Sequence, residues 1–175
     1  KAGGEPFTRF MERQVFEPLG MDRTVLPERA GLDDASSYTP RSILRNRLGI
    51  EEDGPPEYSC LAGAGALLST PTDLVRLGSA VLKPGLLKAE TISALQTPTR
   101  LVSGAATTYA LGWTVGSVQL AGVPTRMVSH RGSPRGGTVS LLTFPELGRA
   151  VAVAANTNVT SVNPLALQVA DAFAR

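Results

Sequence analysis

The chain contains one histidine, His130, in the stretch "VSHRGSPRGGTVSLL" (residues 128–142), where an apolar run enters a glycine-dense turn and a second apolar run follows at once. An imidazole changes charge near neutral pH, and in its neutral form it can donate a hydrogen bond to a carboxylate or carbonyl. Gly132, Gly136 and Gly137 at a strand end let another group approach the main chain closely. Unpaired N–H groups in such a place act as anion or oxyanion donors. This context makes His130 a candidate for chemistry rather than packing, with Arg131, Gly132 and Ser133 as its neighbours.

Other chemistries are removed by simple counting. The only lysines are Lys1, Lys83 and Lys88, and Ala80 and Gly85 stand where a Ser-x-x-Lys nucleophile would need its serine. Tyr38, Tyr58 and Tyr109 are followed two residues later by Pro40, Cys60 and Leu111, so Tyr-x-Asn does not occur. No serine sits in Gly-x-Ser-x-Gly, and no Gly-x-x-x-x-Gly-Lys loop is present. The glycines of "AGAGALLS" lack the third glycine and preceding strand of a dinucleotide site. One cysteine, Cys60, and one histidine cannot build a zinc site from those ligands, and no cofactor is expected. The formal charge of +2 and the sparse cluster Arg41, Arg45 and Arg47 exclude a nucleic-acid surface. No apolar run approaches the roughly 18–20 residues of a membrane span.

The elements that must carry these residues follow from periodicity. Phe7, Phe10, Met11 and Phe16 recur at helical spacing, with Pro18 and Gly20 as the expected stop. Residues 21–60 show no steady period and read as long loops, with one short helix around Ile43 to Leu48. "STPTDLVRLGSAVLKPG" carries a full helix start, with Thr70 as cap, Pro71 in the first turn and Asp73 three residues after the cap. A shorter helix is expected at "KAETISALQ". After Pro98 the period becomes extended, and "YALGWTVGSVQL", "VPTRMVSH", "GTVSLLTF" and "RAVAVAANT" predict three or four antiparallel strands. A C-terminal helix, capped by Asn163 and opened by Pro164, is expected on one face of that sheet. The fold class is α+β: a helical and loop-rich region, then an antiparallel sheet of three to four strands, then the helix.

Taken in order, "FMERQVFEPLGMDRT", "AGAGALLSTPTDLVRLGSAVL", "PGLLKAETISALQTP", "YALGW", "SHRGSPRGG" and "VAVAANT" resemble the C-terminal half of the serine β-lactamase-like hydrolases. That group includes class C β-lactamases, related esterases and D-aminopeptidases, and penicillin-binding proteins. The resemblance implies a partial β-lactamase/transpeptidase-like fold, with residues 1–97 belonging to the all-α subdomain and 98–175 to the α/β subdomain. It also implies that His130, Arg131 and Gly132 take the Lys-Thr-Gly positions beside the cleft, and that the Ser133 N–H is an oxyanion donor. His130, Gly132 and Ser133 are then the catalytic candidates and Arg131 the substrate-binding one. Arg131 departs from the small hydroxyl usual there, which favours a substrate other than a β-lactam. In such enzymes the nucleophile motifs lie before the helix corresponding to residues 6–18, so the chain is expected to be a fragment, inactive alone.

The partners implied are a small-molecule amide or ester (β-lactam, peptide or ester) in the complete protein, and the missing N-terminal half or a second copy at an exposed sheet edge. An exported or periplasmic setting would suit the family. Two rival readings stand beside this one. In the first, a non-catalytic binding or regulatory protein keeps only the cleft wall. In the second, a small self-contained hydrolase pairs His130 with Ser129 or Ser133.

Overall fold

Phe7, Phe10, Met11 and Phe16 do lie on one helical run, but it is built in three pieces: α1 (Phe7–Met11), a π-helical turn over Glu12–Phe16, and α2 (Glu17–Leu19). The computed structural model describes residues 3–26, 34–41, 49–53, 63–65 and 67–175. The helix expected near Ile43 to Leu48, and Cys60, lie outside them. Pro18 does not stop the run. Lacking an N–H, it leaves a carbonyl one turn back without its usual donor, and the preceding turn is the widened one. The stop is Gly20, left-handed at φ +63, after which the Met21 N–H donates to the Phe16 carbonyl at 2.8 Å. Of the aromatic stripe only Phe16 is buried; Phe7 and Phe10 are exposed.

The reading of residues 21–60 as loops is corrected by a short hairpin, β1 (Ser37–Pro40) and β2 (Ile50–Asp53), paired antiparallel from Ser37 opposite Asp53 to Pro40 opposite Ile50. "SYTP" and "IEED" have no apolar alternation because β2 buries almost no side chain. Its pairing is a main-chain matter, which periodicity does not register.

Helix α3 (Pro71–Ala80) begins as expected, with the Thr70 hydroxyl accepting from the Asp73 N–H at 3.2 Å. The Asp73 carboxylate, however, looks away from its own helix start. It is 1% exposed, and its Oδ2 accepts from the Arg23 N–H at 3.0 Å and the Thr24 hydroxyl at 2.9 Å. Its Oδ1 accepts from Arg76 Nη1 at 2.8 Å, and the same nitrogen donates to the Gly20 carbonyl. The sequence after α2 is thereby tied to α3. Helix α4 (Ala89–Leu95) follows.

The four-stranded antiparallel sheet runs in the order β3 (Thr114–Leu120), β4 (Val123–Gly132), β5 (Thr138–Phe144), β6 (Arg149–Ala155). Helix α5 (Asn163–Ala172) covers one face. There Leu120, Leu142 and Phe144 pack with Ala166 and Ala170, flanked by Val151 and Val153. The expected single covering helix is only half of the arrangement, because α3 packs on the opposite face of β5 and β6. A methyl group added at Gly78 would stand 2.9 Å from the Ala150 Cβ and 3.0 Å from Leu141 Cδ1, so the glycine and the alanine side of "RAVAVAA" are what admit the helix. The region before residue 98 and the sheet thus meet through α3. Asn163 is not the cap of α5. Val162 holds that place, and Asn163 Oδ1 accepts instead from the Ser140 hydroxyl at 3.1 Å.

The turn between β3 and β4 places Ala121 at φ +48 and Gly122 at φ +80, the double left-handed geometry that hairpins favour. Asp171 of α5 fastens it, accepting from the Ala121 N–H at 2.6 Å. That N–H first, and Arg175 second, hold the Asp171 carboxyl below its ordinary value of 3.8. A depressed carboxyl pKa contributes stability above the unfolded value, and this is lost as pH falls through the folded one. Asp171→Asn is therefore expected to lower stability at neutral and alkaline pH and to flatten the acid limb of the curve, the variant and the unmodified chain converging at low pH, read from urea midpoints.

Candidate active site

β4 outruns β3. Ser129 is opposite Thr114, the last register pair of that ladder, whereas His130, Arg131 and Gly132 continue opposite Leu141, Ser140 and Val139 of β5. On their other side these three residues have no strand partner among the described residues. Alternation along a strand sends neighbours to opposite faces. His130 shares the face of Leu141, on the α3 side; Arg131 shares that of Ser140, whose hydroxyl meets Asn163 at the start of α5.

A cavity of about 560 Å³ wraps around this overhanging strand end and brings together all four candidates, His130, Arg131, Gly132 and Ser133. Tyr109 and Thr114 wall it on one side and residues 158–163 on the other. Ser129, by contrast, is 3% exposed between two ladder partners. The volume lies in the range of small-molecule sites, typically about 300–1,000 Å³. Among the described residues that line it, Arg131 is the only one with a permanent charge. Two lining oxygens, Thr138 Oγ1 and Asn158 Oδ1, are buried without a hydrogen-bond partner. An unpaired buried polar atom costs about 1–3 kcal/mol, so this wall favours a hydrogen-bonding occupant.

His130 is held by a loop the sequence did not single out. A hairpin joins Thr99 and Tyr109, with the Thr99 N–H donating to the Tyr109 carbonyl at 2.9 Å, and a tight turn follows in which the Ala110 N–H donates to the Trp113 carbonyl at 2.7 Å. Gly112 adopts φ +84 in that turn, and its carbonyl oxygen lies 2.7 Å from His130 Nδ1. A carbonyl only accepts, so Nδ1 carries the proton, and the single N–H of a neutral imidazole is spent inside the protein.

The glycines divide their tasks. A Cβ on Gly132 would press Val139 Cγ1 at 3.2 Å, so this position favours a bare main chain beside its cross-strand neighbour. Gly136, at φ +70, is approached by Ser37 of β1, whose Cβ would lie 2.5 Å from an added one, and Arg135 Nε pairs with Asp53 Oδ2 of β2 at 2.7 Å. The β1–β2 hairpin thus packs on the turn following the candidate residues. Tyr109, Gly112, Thr138 and Asn158 were not identified from sequence. Only the Tyr-x-x-Gly-Trp order of "YALGW" signalled any of them, because a carbonyl partner and an inward-facing amide leave no periodic trace.

The sequence matches the Beta-lactamase family over residues 1–174. It is 32% identical over 159 residues to the unguisins hydrolase ungD' of Aspergillus campestris, covering 85% of this chain and 28% of that protein. Its fold is similar to that of a D-stereospecific amidohydrolase from Streptomyces sp. (TM-score 0.77, 17% identity, 95% of this chain and 48% of that one). It is also similar to that of the octameric penicillin-binding protein homologue from Pyrococcus abyssi (TM-score 0.76, 23% identity, 97% and 38%). The chain spans half or less of the length of each of these proteins. With the antiparallel sheet, its covering helices and the matched residues in agreement, the chain belongs to the Beta-lactamase family.

Proposed function

We propose that these residues form the C-terminal part of a β-lactamase-like serine hydrolase that cleaves an amide or ester through an acyl-enzyme, residues 1–97 and 98–175 contributing to its all-α and α/β subdomains. The observation that carries this reading is the cavity at the overhanging end of β4, where His130, Arg131, Gly132 and Ser133 meet. The serine, supplied by residues outside these 175, attacks the carbonyl and expels the amine or alcohol; water then attacks the acyl-enzyme and releases the acid. The Ser133 N–H, kept accessible by Gly132, is one oxyanion donor. Arg131 holds the substrate from the α5 side and His130 contacts it from the α3 side. No metal or organic cofactor enters this scheme. An amide substrate draws support from the related proteins, whose names record an amidohydrolase and a hydrolase of unguisins.

The test is hydrolysis by the chain itself. Because Ser-x-x-Lys and Tyr-x-Asn do not occur in it, a chromogenic β-lactam, an anilide and a short-chain ester are all expected to remain at the solvent blank. Turnover that is lost on Ser133→Ala would show a self-contained hydrolase and overturn the division of labour.

A further inference from the structure

The geometry points to His130 as a hydrogen-bond acceptor in the cavity, one that selects a neutral N–H donor such as a substrate amide over a carboxylate. The inference rests on the hydrolase reading for what fills the cavity, but its physical basis is independent of it. The Gly112 carbonyl, 2.7 Å from Nδ1, fixes the proton on that nitrogen. Nε2, across the ring, has no partner among the described residues, and the exposed His130 side chain lines the cavity. In the neutral ring that nitrogen presents a lone pair and nothing else.

This reverses the polarity that the sequence suggested. A lysine in the same place would present only donors and would attract an anion. His130 in the tautomer selected by Gly112 repels a carboxylate oxygen lone pair against lone pair, and it welcomes an N–H. An ammonium group is disfavoured for a second reason, since Arg131 brings a positive charge to the same cavity and no carboxylate among the described residues lines it. A neutral amide N–H satisfies both constraints.

A single histidine makes the test unambiguous, because the imidazole region of a nitrogen-15 spectrum of the chain holds one ring. In the neutral ring, Nδ1 is expected to show the protonated, pyrrole-type signal and Nε2 the unprotonated, pyridine-type signal. A proton on Nε2, or the averaged signals of a free imidazole, would overturn the proposal. The matched pair 3-phenylpropionamide and 3-phenylpropionate then reads selectivity at Nε2. The amide is expected to move that resonance at several-fold lower concentration than the carboxylate. Equal shifts from both, a stronger effect from the carboxylate, or no shift from either would reject the selectivity. Neither measurement needs turnover, so the hydrolase reading can fail while these hold, and these can fail while it holds.

Discussion

Asp73→Ala is expected to lower the stability of the chain by about 3 kcal/mol, the scale on which one partner is lost from a buried charged network. The residue is 1% exposed and its two oxygens accept from three groups: the Arg23 N–H, the Thr24 hydroxyl and the Arg76 guanidinium. Alanine leaves the Arg23 N–H without its acceptor, while the Thr24 hydroxyl keeps the Ser69 hydroxyl at 2.8 Å. Arg76 suffers less, because it is partly exposed and keeps the Gly20 carbonyl. Asp73→Asn retains one acceptor without the charge and is expected to cost about half as much. Urea unfolding reads both, and a double-mutant cycle with Thr24→Val isolates the pair, for which coupling of about 0.5–3 kcal/mol is the usual range for contacting residues. A loss below about 1 kcal/mol for Asp73→Ala would show that the strap between residues 20–24 and α3 is held by packing instead.

Asp73 also illustrates what a sequence can and cannot disclose. Its position three residues after Thr70 marks a helix start, and the helix is there; yet its carboxylate is used some fifty residues away in sequence, a relation that no local spacing encodes. The sheet was legible for the converse reason. β5 is a buried strand and β6 a half-buried one, both rich in Val, Leu and Ala and bounded by turn residues, and their signal is local. β1 and β2 were not legible, since β2 buries almost nothing and the one fully buried side chain of the four-residue β1 is the polar Thr39, so neither carries an apolar alternation. At the site, His130 stood out by rarity and by its glycines, and the family order of blocks supplied roles for Arg131, Gly132 and Ser133. The direction of the imidazole proton was hidden, because it depends on a main-chain carbonyl whose position follows from the φ of Gly112 rather than from any side chain.

On the proposed hydrolase reading, supplying in trans a polypeptide that carries the serine is expected to convert an inert, self-associating chain into one that forms an acyl-enzyme. β6 is the outermost strand, with no ladder partner beyond it among the described residues. A groove of about 510 Å³ runs beside it, lined by Val75 of α3, residues 149–152 of β6, and Val169 and Phe173 near the end of α5. Arg149 is the only charge among the described residues of that lining, and its guanidinium donates to the Phe173 carbonyl. Little therefore protects the edge from pairing, and an unpaired apolar edge strand is a template for association. At the far end of β6 the chain caps itself, since the Tyr38 N–H donates to the Asn156 carbonyl at 2.9 Å, so the vulnerable stretch is 149–155. Light scattering is expected to show dimers or larger species for the chain alone. A monodisperse monomer whose 149–155 amides exchange freely would count against association, and slow exchange in such a monomer would mean that the chain covers the edge itself. With that polypeptide supplied, the same amides are expected to become protected and its serine to be acylated by an amide or ester probe. Protection without acylation would keep the architecture and reject the chemistry; acylation without protection would place the joint somewhere other than β6.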